Sequence, residues 1–274
     1  MINDHGYIDK AVANIREVAE KQSGNIHKAA ELMADAIEAD RLINVYAGGG
    51  HTTLAMGEMF FRAGGLANVN PLMETALSVF NQALKYLELE RTVNFGASIV
   101  KYYDIQKDDV VLFFHNIGIN PATIDAAMEV KKRGAKLIAI ASSYWQNEMP
   151  PDHFIRHPNH KNLFDYADVC IDDYNPVGDA IVQVPGLDTP IAPVSNVVAP
   201  AARARVTGAS TVCIDYYVVH VRLYTNTPLV EGIAPPRRSS MLTASRMARL
   251  TALKAASILW WSLRPRIVSM CRLH

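Results

Sequence analysis

His51 and Glu58 stand seven residues apart, immediately after Gly48-Gly49-Gly50. On a helix that spacing puts both side chains on one face two turns apart, where they can supply an acid and a base for proton transfer. The three glycines let the backbone turn sharply and approach a ligand without a Cβ in the way. The helix that follows, opening at Thr52 and Thr53, offers unpaired N–H groups and the positive end of its dipole to a phosphate. The loop lacks both the Gly-Lys-Ser/Thr ending of a P-loop and the Gly-x-Gly-x-x-Gly spacing of dinucleotide sites. Three glycines after a strand also make a plain tight turn.

Other polar clusters weigh less. His153, His157 and His160 are spaced to chelate a metal, but they share their segment with Pro150, Pro151 and Pro158 and have no nearby Cys, so they read as a solvated loop. His220 sits among Tyr216, Tyr217, Val218 and Val219 and reads as a packed position. Ser195-Asn196 and Thr207 are equally good caps for a last helix. Glu88 and Glu90 read as a solvated helix face. The sequence calls for no metal and no cofactor.

The elements around the glycine loop describe an α/β chain. Apolar residues at helical spacing over 8–39, broken at Ser23-Gly24, make two helices or one kinked helix ahead of a strand at 42–46. The glycine-loop helix stops at Ala63-Gly64-Gly65, and 66–70 form a second strand. Residues 77–89 and 93–103 read as helices. Val110-Val111-Leu112-Phe113-Phe114 is the strongest buried strand, and it leads through His115-Asn116-Ile117-Gly118-Ile119-Asn120 to Pro121 at a helix start. That helix runs to Arg133, stops at Gly134 and returns in a strand at 137–141, a unit that builds parallel sheets. Residues 144–165 read as a long loop, 167–172 and 180–184 as two further strands, and a last helix lies within 194–223, late or broken because of Pro200. Ser142-Ser143, like the loops at 48–53 and 115–120, follows the C-terminal end of a strand, the edge where open parallel sheets bind ligands.

Of 274 residues half are hydrophobic, enough for a substantial core. The zero net charge hides a split: residues 1–236 carry 19 Lys/Arg against 27 Asp/Glu, and the last 38 carry eight against none. An acidic body excludes nucleic acid as its partner. Cys170, Cys213 and Cys271 follow no metal or redox spacing, and neither a signal peptide nor a membrane-length apolar stretch is present, so a cytoplasmic protein without a membrane partner is expected.

The glycine loop, the helix bearing Glu58, Ala63-Gly64-Gly65-Leu66, Asp108-Asp109-Val110, Lys131 to Lys136, Ala167-Asp168-Val169 with Ile171-Asp172, Gly178-Asp179-Ala180 and Gly232-Ile233 with Pro235-Pro236 together resemble the sugar isomerase (SIS) superfamily. The likeness runs over about residues 8–236, within a bacterial branch similar to phosphoheptose isomerases. The resemblance implies a doubly wound five-stranded parallel sheet with helices on both faces, a sugar phosphate at the strand ends and a homodimer or homotetramer. It carries Gly50, His51, Thr52 and Thr53 onto the first ligand loop, where Gly48 and Gly49 are also expected to position the substrate, Glu58 onto a catalytic base, and Ser142 and Ser143 onto the third loop. The second loop departs: a Ser-x-Ser-Gly-x-Thr/Asn pattern is replaced by one in which Asn116, Gly118 and Asn120 remain to position the ligand and two hydroxyl donors are lost. Each such bond is worth roughly 1.5–3 kcal/mol.

The expected activity is aldose–ketose isomerisation of a sugar phosphate through an enediol, with Glu58 as base and His51 assisting. A non-catalytic sugar-phosphate sensor is the alternative, favoured by the altered loop; elimination or deamination of an amino sugar is a third chemistry the same fold can hold. The domain is expected to end at Pro236, and residues 237–274 read as an atypical basic tail, out of frame or disordered.

Overall fold

The computed structural model describes residues 5–60, 66, 68–80 and 83–202. Two helices, α1 (His5–Lys21) and α2 (Ser23–Glu38), precede β1 (Ile43–Ala47), α3 (Thr52–Phe60) and β2 (Val69–Pro71). Then come α4 (Ala83–Glu90), α5 (Phe95–Tyr102), β3 (Val110–Phe114), α6 (Pro121–Lys132), β4 (Lys136–Ala141), α7 (Ser143–Glu148) and β5 (Val169–Asp172). A short ribbon, β6 (Ala180–Val182) with β7 (Ile191–Pro193), leads to a last helix, α8, over 195–202. The main sheet has the order β2-β1-β3-β4-β5 with every neighbouring pair parallel.

β3 shows why the sheet is covered on both faces. All five of its residues are buried, as a parallel strand between two helical layers requires. Val110, Leu112 and Phe114 join Val45, Met33, Met56 and Val198 on one side, and Val111 and Phe113 join Tyr46, Ile99, Ile124 and Val130 on the other. The period of two along each strand thus divides the core into two layers. On the second face α5 lies hard against the start of α6: a Cβ on Gly96 would come within 1.7 Å of the Ala122 carbonyl oxygen. The buried Tyr46 hydroxyl donates to that same oxygen at 3.0 Å, which fixes the start of α6 beside the end of β1.

Four expectations need correction. The helix read over 77–89 is a single 3₁₀ turn, Thr75–Leu77, and then α4; the Glu74 carboxylate accepts from the Ala76 N–H and Ser78 is extended, so the first turn closes before a helix propagates. Residues 144–165 are not one loop, because α7 starts directly off β4 and an Asn162–Asp165 capping box closes a 3₁₀ turn at Leu163–Asp165. Strand 180–184 is three half-buried residues paired antiparallel with β7, apart from the main sheet. The last helix starts at Ser195 and passes through Pro200; one missing N–H near a helix start removes a single bond. The glycine stop at 63–65, Thr207, Cys213, His220, Cys271, the boundary at Pro236 and the basic tail lie outside the described residues.

Candidate functional site

The strand order reverses between β1 and β3, since the chain leaves β1 outward to β2 and returns across it. Ligands of open parallel sheets bind outside the carboxyl ends of the strands at such a switch point. A cavity of about 420 Å³ opens there. Gly49 and His51 enter it from the end of β1, and His115, Asn116, Ile117 and Asn120 from the end of β3. Tyr86, Glu90 and Arg91 come from the end of α4, while Trp145 of α7 and His153, Phe154 and Ile155 of the following segment close the far wall.

That wall is pinned. The Arg156 guanidinium donates to the carbonyls of Gln146 (2.6 Å) and Met149 (3.0 Å) and to Asn162 Oδ1 (2.9 Å). His157 Nδ1 accepts from the Asn159 N–H, so Nε2 carries the proton and donates to Asp125 at 3.1 Å in a buried pair. His160 Nδ1 lies 2.7 Å from the Pro151 carbonyl. His157 and His160 therefore face separate partners, and no cluster able to hold a metal occurs among the described residues.

Four of the expected site residues meet in the cavity: Gly49, His51, Asn116 and Asn120. The others do not line it. Thr52 and Thr53 turn their hydroxyls back onto the carbonyls of Gly49 (2.7 Å) and Gly50 (2.6 Å). These bonds stiffen the loop and use up the donors. Gly48 is packed against Thr123 and Tyr46, and Gly50 against Tyr86 and Val79. Gly118 turns the second loop with φ +67°. Ser142 is fully buried and its hydroxyl donates to the Asn175 carbonyl at 2.6 Å, while the Ser143 N–H binds Asp172.

Glu58 corrects the sequence reading most. It is exposed on α3 and does not line the cavity. His51 precedes the first helical residue, Thr52, so the seven-residue spacing does not place the two on one helix face.

The carboxylate in the cavity is Glu90, which the sequence reading assigned to solvent. It is 5% exposed. Burial pushes its carboxyl up to about 7, against the pull of the neighbouring Arg91 charge and the Asn120 amide. The end of α4 adds to this, because the negative pole of a helix disfavours a carboxylate. Nothing in the local pattern signals it: α4 buries Glu90 and leaves Leu84 exposed, the inverse of an ordinary amphipathic helix.

His115 is 2% exposed, and burial, reinforced by His51 nearby, pushes its imidazole down to about 3. Its Nδ1 accepts the Gly118 N–H at 3.1 Å, so the neutral ring carries its proton on Nε2. Burial also lowers the His51 pKa, partly offset by Asp179. Both imidazoles are neutral near neutral pH.

Several buried polar atoms on the cavity wall have no hydrogen-bond partner, namely His51 Nε2, Arg91 Nε and Trp145 Nε1, while the Asn120 amide interacts with the Glu90 carboxylate. Asn120 is the residue before α6, and its side chain makes no cap bond there. Native folds leave few unpartnered buried atoms, and these three gather on one cavity. The Arg91 guanidinium lies 5.0 Å from the centre of the Phe154 ring, an arrangement that holds it in place.

The SIS domain family model matches residues 6–142. A UPF0309 protein of Thermoanaerobacter pseudethanolicus is 36% identical over 180 residues, 65% of this chain and 71% of the relative. One from Geobacillus kaustophilus is 32% identical over 201 residues, 73% of this chain and 77% of the relative. Among solved structures, a phosphoheptose isomerase from Francisella tularensis aligns with 77% of this chain and 96% of its own at 12% identity and a TM-score of 0.49. The match to the family model, the identity with these relatives and the five-stranded parallel sheet together show that the chain belongs to the SIS domain family.

Proposed function

We propose that the cavity binds a phosphorylated sugar and that the protein interconverts its aldose and ketose forms through an enediolate. The observation that carries this reading is the convergence of unpartnered buried polar atoms from the loop after β1, the residue after α4 and α7 on one cavity at the switch point of an SIS fold. The reaction needs a base beside carbon, a donor at the carbonyl oxygen and a hold on the remote phosphate. The cavity offers a carboxylate, neutral imidazoles and, in Arg91, the one permanent cation among its lining residues. Arg91 takes over the role of the two hydroxyl donors missing from the second loop, as a charge-assisted partner for phosphate. The working form we propose is a homodimer or homotetramer in the cytoplasm, with a domain ending at Pro236. No helix among the described residues is long and apolar enough to cross a membrane.

A thermal-shift series tests the binding step. Fructose 6-phosphate, ribulose 5-phosphate and sedoheptulose 7-phosphate are compared with the matching free sugars, since a ligand of the native state raises its melting temperature. A phosphorylated sugar is expected to stabilise the protein and its free counterpart to do so far less. The sensor alternative is favoured by the altered second loop. It predicts the same shift without exchange of the carbon-bound hydrogen with D₂O; exchange at that carbon supports the isomerase.

A further inference from the structure

We infer that Glu90 is the residue that moves the carbon-bound proton and that His115 Nε2–H is the donor to the substrate oxygen. The assignment rests on the isomerase reading above and replaces Glu58 in it.

The geometry starts at Gly49. A Cβ built on that residue would lie 3.1 Å from His115 Nε2 and 3.5 Å from Glu90 Oε2. Both reactive atoms therefore stand over one point of backbone that has no side chain, and both residues line the cavity. A Cβ there would crowd the His115 ring and touch the Glu90 carboxylate, so glycine at position 49 leaves both reactive atoms open to the cavity. The Gly118 N–H holds His115 Nδ1 as an acceptor, which aims the ring proton from Nε2 toward Gly49.

Protonation agrees with this geometry. A buried carboxyl brought close to neutrality is a base matched to its working pH. A buried neutral imidazole polarises an oxygen without first having to shed a charge. The titratable and charged groups facing Glu90 are Tyr86 from its own helix, Arg91 from the turn that follows it, Tyr46 from β1 and His115 from the second loop. His51 and His153 line the same cavity. Of these Arg91 alone is permanently charged.

The step balances. The Glu90 carboxylate takes the proton from the carbon next to the carbonyl, and the C–H pair becomes the C=C bond. The carbonyl π pair moves to oxygen, which receives the Nε2 proton of His115. His115 then recovers a proton from the adjacent hydroxyl as the second carbonyl forms, and Glu90–H returns its proton to the other carbon. No oxidant and no co-reactant enters.

The test compares wild type with Glu90→Gln, Glu58→Gln and His115→Gln in D₂O. NMR follows exchange at the carbon beside the carbonyl of fructose 6-phosphate, ribulose 5-phosphate and sedoheptulose 7-phosphate. Glu90→Gln is expected to slow exchange by roughly 10²–10⁴-fold while keeping the thermal shift given by the sugar phosphate. Glu58→Gln stays within about twofold of wild type. Wild-type exchange rises about tenfold per pH unit to near pH 7 and then levels. His115→Gln lowers the plateau and leaves the position of that limb. Should Glu90→Gln fail to fold, Glu90→Asp keeps a carboxylate at a longer reach and is expected to show slowed exchange.

Equal exchange by wild type and Glu90→Gln, loss in Glu58→Gln instead, or undiminished exchange in Glu90→Asp when the Gln variant does not fold would overturn the assignment and leave the isomerase reading standing. A wild type that is stabilised by the sugar phosphates yet exchanges nothing would overturn both.

Discussion

α3 and α4 both follow the glycine loop in sequence, and they place Glu58 and Glu90 in opposite surroundings. α3 packs its Ala55, Met56 and Met59 face into the core and leaves Glu58 exposed. α4 leaves Leu84 exposed and buries Glu90, at its last turn, against the cavity. The core side of α3 is set by its own sequence period, whereas the buried side of α4 is set by what surrounds its C-terminal end: the second loop, α6 and the segment after α7. A carboxylate gains chemical use from desolvation, and only the second environment provides it.

The largest way to break this comparison is the pair of glutamine variants. Removing the Glu90 carboxylate is expected to cost roughly two to four orders of magnitude in turnover, and an equal loss in Glu58→Gln would erase the distinction.

Stability against pH sharpens it next. A carboxyl raised to about 7 in the folded protein keeps a proton that the unfolded chain has already released above the ordinary carboxyl value of 4.5. Between those two values the folded state therefore binds more protons, and its stability falls as pH rises, levelling above about pH 7. For Glu90 alone this amounts to roughly 3 kcal/mol. Denaturant melts from about pH 4 to 8 should show Glu90→Gln gaining on wild type by up to that amount. Asp173, buried and raised to about 8, contributes to both curves alike and cancels in the difference.

Arg91→Ala comes third. Losing one charge-assisted partner should weaken sugar-phosphate binding roughly 10–100-fold and leave the free sugar unaffected, as measured by calorimetry. Arg91 also holds the Glu90 pKa down, so the limb of the pH–rate profile should move upward in this variant. A limb that stays in place would separate the two residues.

The smallest effect is predicted at the loop hydroxyls. Thr53→Ser keeps the 2.6 Å bond to the Gly50 carbonyl and should change ligand affinity by less than about twofold. A large loss would show that this hydroxyl faces the ligand after all.

Legibility in the sequence followed the same division. β3 is a continuous apolar run bounded by a polar turn and a glycine loop, and its expected and observed bounds coincide at Val110 and Phe114. Pro121 and Gly134 marked the ends of α6 because each acts through its own backbone. The switch-point loops were legible for the same reason, and they yielded Gly49, His51, Asn116 and Asn120. Glu90, Arg91 and Trp145 were not legible, because their burial comes from segments far away in sequence. Glu58 misled because a helical spacing specifies which residues share a face, not which face another element covers. Ser142 misled in a further way: its hydroxyl is of the expected type, yet the fold spends it on the Asn175 carbonyl.

The most direct test of the central claim, that this cavity stabilises an enediolate of a sugar phosphate, is calorimetric binding of a phosphorylated aldonohydroxamate, which mimics that intermediate. Wild type is expected to bind it at least about 100-fold more tightly than the parent sugar phosphate, and Gly49→Val, which puts a side chain between His115 and Glu90, should abolish the difference. Equal affinity for mimic and sugar phosphate, or tight binding of the mimic that survives Gly49→Val, would contradict it.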